Sequence, residues 1–122
     1  MRKTRQSSSV PLSVKLPPKR VREKFLIIYE LEGCQKAVNC LIKYYGVRRM
    51  RIVLNGRKVG KGCIGYYLEN CAYFKKEGLK KRIVLHEFYH HLVASKGFEL
   101  TIRTEEKEAN NYPRLFLGRT KI

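Results

Sequence analysis

The segment His86-Glu87-Phe88-Tyr89-His90 constrains this chain more than any other stretch. Two histidines four apart stack on one face of an α-helix, about 5–6 Å from each other. Imidazoles at that spacing can grip one zinc ion, and the glutamate beside them can hold and deprotonate a water on the metal. These are two of only three histidines in the chain. The flanking residues read as a long amphipathic helix, roughly Leu79 to Ser95, after Gly78 and before a left-handed cap at Gly97. Val84, Phe88 and Leu92 mark one stripe that can pack on a sheet. His86, Glu87 and His90 share another side, free to face a cleft.

A catalytic zinc needs three protein ligands and one open position. All ten acidic residues are Glu, and Asp is absent. His91 points about 100° away from His90 around the helix, and the four cysteines lie upstream. The downstream glutamates remain: Glu99, Glu105, Glu106 and Glu108. Charge complementarity with a helix N-terminus would explain Glu105 and Glu106 equally well.

The rest of the chain supplies an α+β frame. Residues 1–20 are rich in Lys, Arg, Ser and Pro and are expected to form a flexible basic arm. Residues 21–122 suffice for a single domain. Apolar residues mostly at spacings of three or four (Phe25, Ile28, Tyr29, Leu31, Val38, Leu41, Ile42, Tyr45) predict helix from Val21 to Tyr45, broken near Gly33 and stopped at Gly46. Arg49–Leu54 reads as a strand ending in the turn Asn55-Gly56. A basic, glycine-rich link leads to two further strands, Cys63–Leu68 and Cys71–Phe74, joined by Glu69-Asn70. A last helix is expected to begin at an N-cap on Thr104. Cys34, Cys40, Cys63 and Cys71 form no CxxC pair and are expected reduced and partly buried, although Cys63 and Cys71 could face each other across the sheet.

The two motif regions together resemble a known family. His86-Glu-x-x-His90 followed by Glu106-Lys107-Glu108-Ala109-Asn110-Asn111-Tyr112 is similar to the ImmA/IrrE zinc metallopeptidases, which carry HExxH on one helix and an E-x-E-A-N-like segment on the next. The resemblance covers about residues 50–117. It implies a minimal zincin-like core: N-terminal helix or helices, a small three-stranded sheet, the HExxH helix and a second ligand-bearing helix. It implies Glu106 as third zinc ligand and Asn110 as the residue that fixes a ligand histidine through its far nitrogen. The sequence departs from the family pattern at Tyr89, where a small residue is common and a bulky one is expected to reshape the cleft. Tyr112-Pro113 replaces a Phe-Ala-like pair, so the second helix is expected to end early.

The implied activity is that of a zinc-dependent endopeptidase. Glu87 would take the proton of the attacking water and pass it to the leaving amine. The developing oxyanion needs a donor besides the metal, and Tyr66, Tyr67, Tyr112 and His91 are candidates. In zincins an edge strand above the motif helix pairs with the extended substrate; here that strand is expected to be Cys63–Leu68. Several family members cleave transcriptional repressors bound to DNA.

A net charge of +17 suits such a setting, because a surface this basic attracts polyanions. It also supports an alternative: a basic nucleic-acid-binding protein with a structural or vestigial metal site. Its contacts would come from Arg2, Lys3, Arg5, Lys19, Arg20 and Arg22. Lys80, Lys81 and Arg82, just before the motif, could instead steer an acidic substrate into the cleft. No apolar run is long enough to span a membrane, and the basic N-terminus has no apolar signal core, so a cytoplasmic protein is expected.

Overall fold

The computed structural model describes residues 11–54, 59, 65–76 and 79–118. Four helices and a three-stranded mixed sheet make an α+β architecture. Helix α1 (Lys19–Glu32) and helix α2 (Cys34–Tyr45) meet at Gly33. The break falls there because Gly33 has φ 98°, a value that L side chains rarely adopt. α2 buries Ala37, Val38 and Leu41 and ends at Gly46 in the left-handed conformation, the expected stop.

Strands β1 (Arg51–Leu54), β2 (Gly65–Leu68) and β3 (Cys71–Phe74) lie in the order β1-β3-β2. β1 runs parallel to β3, and β2 pairs antiparallel with it. The Glu69-Asn70 connection has positive φ at both residues, the backbone a tight two-residue hairpin requires. β3 sits between its neighbours with Ala72 and Phe74 fully buried. The outer edge of β1 is occupied from α2. The Gln35 amide donates to the Met50 carbonyl at 3.0 Å and accepts from the Ile52 N–H at 2.8 Å. Among the described residues nothing equivalent pairs with the outer edge of β2.

Helix α3 (Lys81–Lys96) crosses the sheet, buries Val84, Phe88 and Leu92, and ends at Gly97 in the expected left-handed cap. It is buried more fully than its periodicity suggested, with Leu85, Tyr89, His91 and Val93 enclosed as well. Helix α4 (Ile102–Gly118) packs along it. The N-cap is Thr101 rather than Thr104: Thr101 Oγ1 accepts the Thr104 N–H at 3.1 Å. This places Glu105 and Glu106 one turn deeper than expected. α4 also continues through Pro113 to Gly118, contrary to the expected early end. The lost N–H bond is offset by burial of Tyr112, Pro113 and Phe116.

The expected flexible arm is corrected from residue 11 onward. Val14 is buried, Leu12 and Leu16 pack against the core, and α1 begins at Lys19. Polar anchors hold this segment: Ser13 N–H and Oγ donate to Glu108 at 3.1 and 3.0 Å. Val14 N–H donates to Tyr89 Oη at 3.1 Å, and Tyr45 Oη donates to the Lys15 carbonyl at 2.7 Å. Cys34, Cys40 and Cys71 are free, partly buried thiols. The Asn55-Gly56 turn, the glycine-rich link, Cys63, Gly78 and residues 1–10 lie outside the described residues. Among the described residues no helix is long and apolar enough to cross a membrane.

Candidate metal centre

His86 and His90 emerge from the one incompletely buried stripe of α3, at 18% and 19% side-chain exposure. Their Nε2 atoms lie 3.3 Å apart. Glu106 reaches across from α4, one oxygen 3.2 Å from His86 Nε2 and the other 3.2 Å from His90 Nε2. Metal bonds of about 2.0–2.1 Å meeting at tetrahedral angles hold their ligand atoms about 3.3–3.4 Å apart. The two nitrogens have that spacing, the carboxylate meets each of them at a similar distance through a different oxygen, and the His86, His90, Glu106 group could hold a metal ion.

The far side of the His90 imidazole is held. His90 Nδ1–H donates to Glu105 Oε2 at 2.6 Å, which leaves the Nε2 lone pair facing the site. Asn110 lines the same cleft as His86 and acts to raise the His86 pKa against the effect of burial. Sequence reasoning did not foresee this place for Glu105, at the far nitrogen of His90, weighing it as a rival ligand or as a charge complementing the helix N-terminus. Its position immediately before Glu106 is the signal, since adjacent helix residues cannot both reach one metal but can serve opposite faces of one ring. Burial pushes the His86 pKa down, which favours the neutral ligand form.

Glu87 lines the same cleft but is only 8% exposed. Burial raises its pKa to about 7; the nearby His90 opposes this, and Glu106 adds to it. The cleft has a volume of about 530 Å³ and is walled by Gly65, Tyr66 and Tyr67 of β2 on one side and Ile83 and Pro113 on others. Gly65 admits Glu87: a methyl group there would stand 3.2 Å from Glu87 Oε2.

The candidate oxyanion donors separate. Tyr112 is fully buried, with its hydroxyl 2.9 Å from that of Tyr45, so it belongs to the core and not to the cleft. His91 is buried, its Nε2–H donating to the Arg48 carbonyl at 2.6 Å. His91 Nδ1 then accepts the Tyr67 hydroxyl proton at 2.9 Å, so the Tyr67 proton is committed as well. Tyr66, 44% exposed and on the cleft wall, is the remaining candidate. Tyr89 does not reshape the cleft as expected. It points into the core, where its hydroxyl donates to Glu108 Oε1 at 2.6 Å.

Of the nucleic-acid candidates, Lys19, Arg20 and Arg22 lie together in the first turn of α1. Lys19 is within ion-pair reach of Glu23 at 3.9 Å, and Arg22 Nε donates to the Pro17 carbonyl at 3.0 Å. Arg20 is exposed, and Arg2, Lys3 and Arg5 lie outside the described residues. Comparison with protein-family models, curated proteins and solved structures finds no match to this chain.

Proposed function

We propose that this chain is a zinc-dependent endopeptidase whose ligands are His86, His90 and Glu106. The observation that carries the proposal is the convergence of two Nε2 atoms and a carboxylate at 3.2–3.3 Å beside a buried glutamate in an open cleft. Two nitrogens and one carboxylate oxygen form a donor set that zinc favours. Bound there, zinc would supply a Lewis acid that polarises the scissile carbonyl and lowers the pKa of water.

The chain's own groups account for the remaining steps. Glu105 holds the His90 imidazole in register. Glu87, poised near neutrality, accepts the proton of the attacking water and returns it to the leaving amine as the peptide bond breaks. The outer edge of β2, unpaired among the described residues, supports binding of an extended peptide: the two-residue hairpin and the parallel β1–β3 pairing turn the backbone groups of Gly65 and Tyr67 outward. Tyr66 is the side chain best sited to meet the developing oxyanion. The +17 charge suits a target held on nucleic acid.

Metal analysis and peptide hydrolysis test this directly. Reconstituted protein should hold about one zinc per chain, lost in His90→Ala. Glu87→Gln should keep zinc and lose at least roughly a hundredfold in hydrolysis. Protein that takes up no zinc would end the proposal.

A further inference from the structure

We infer that the cleft recognises a substrate carboxylate close to the scissile bond, and that Arg82 reads it. The inference rests on the peptidase reading of the cleft. Arg82 lies four residues before His86, so the two share a face of α3, and both line the cleft. Its side chain is exposed and forms no salt bridge among the described residues. The cations around it are differently placed: Lys81 is ion-paired with Glu30 and sits 5.2 Å from the centre of the Tyr29 ring.

The cleft's own anions are all engaged. Glu105 holds the far nitrogen of His90, Glu106 spans both imidazole nitrogens, and Glu87 is buried beneath Gly65. α3 carries no acidic residue in its first turn to offset Arg82. A guanidinium with no anion among the described residues, at the rim of the cleft, is a forked donor set for a carboxylate brought by the ligand.

Geometry limits where that carboxylate can be. Four helical residues advance about 6 Å, and an extended peptide advances about 3.3 Å per residue. The acidic group therefore belongs within about two residues of the bond that is cut. Ile83 and Pro113, which also wall the cleft, suit an apolar side chain next to it. Two sources supply this chemistry: an internal Asp or Glu side chain, or the free C-terminus of a short substrate.

The test has two arms. In the first, a mixed peptide pool is digested by zinc-loaded wild type, Arg82→Ala and Arg82→Glu, and the cut sites are read by mass spectrometry. Asp or Glu, or a free terminus, should be enriched about tenfold within two residues of the cut. The enrichment should vanish in Arg82→Ala and pass to Lys or Arg in Arg82→Glu. The second arm needs no turnover. Zinc-loaded Glu87→Gln is titrated with labelled peptides matched as Glu against Gln, and as free acid against amide. One carboxylate member should bind about tenfold tighter than its neutral twin, and the ratio should fall to about one when Arg82→Ala is added. Equal affinities in both pairs overturn the inference, as does cleavage with no acidic preference. Carboxylate-selective binding without cleavage by wild type would keep the site and overturn the peptidase reading instead.

Discussion

A methyl group at position 65 would stand 3.1 Å from Phe74 Cε1 and 3.2 Å from both Glu87 Oε2 and Ile83 Cγ2. Those contacts are tighter than side chains normally tolerate, and Phe74 is fully buried, so the strain falls on the Glu87 carboxylate and on Ile83. Gly65→Ala should therefore lower kcat by about tenfold while leaving zinc content unchanged, because small displacements of a proton-transfer group are expensive. Steady-state kinetics beside metal analysis separates the two effects. Glu105 would act on a bound metal through another residue. Removing its 2.6 Å bond to His90 Nδ1 frees the imidazole to rotate and to change tautomer. Glu105→Ala should weaken zinc affinity about 10–100-fold, read by competition with a chelating dye.

At the scale of elements, α3 and α4 are joined twice, on opposite sides. The metal site is one seam. The other is a buried polar cluster in which Glu108 of α4 receives Tyr89 of α3 and both N–H and hydroxyl of Ser13. Tyr89→Phe would leave Glu108 short of one donor and the Val14 N–H without its acceptor. It should destabilise the fold by about 1–3 kcal/mol in urea unfolding and leave zinc stoichiometry intact, since Tyr89 points away from the cleft. This seam explains why a tyrosine stands inside the HExxH motif. The position faces the core, and its hydroxyl anchors the N-terminal segment.

For the whole molecule, a metal held by His86, His90 and Glu106 would couple its binding to folding, because those residues come from two helices. Zinc at about a thousand times its dissociation constant should add about 4 kcal/mol to stability, and a chelator should remove it in a thermal melt. In the metal-free protein buried groups of opposite effect set the pH dependence. Burial holds the pKa values of His86 and His91 below the ordinary histidine value, so at these sites the unfolded chain binds protons more readily than the folded one. Their contribution is fully present above about pH 6.5 and lost as pH falls through the lowered folded values. Glu87, raised to about 7 by burial, works the other way and adds stability as pH falls. In a Glu87→Gln background, denaturant midpoints of apo protein should decline from pH 7.5 to 5.5, less steeply when His91→Gln is added.

The HExxH spacing alone determined that two imidazoles would share one face of a helix, because that follows from 3.6 residues per turn. Glycines at 33, 46 and 97 likewise marked helix ends in the sequence, since their conformations are local. Local chemistry could not rank Glu105, Glu106 and Glu108, which crowd one turn and a half of α4. A family resemblance pointed to Glu106, and only the packing of α4 against α3 gave the three their separate places: at the far ring nitrogen, at the site, and in the core. The same packing sent Tyr112 and His91 into the interior and drew residues 11–18 onto the fold through Glu108 and Tyr89. A residue's environment is set by what lies across the chain from it, 15 or more positions away. Composition and periodicity carry no record of those partners.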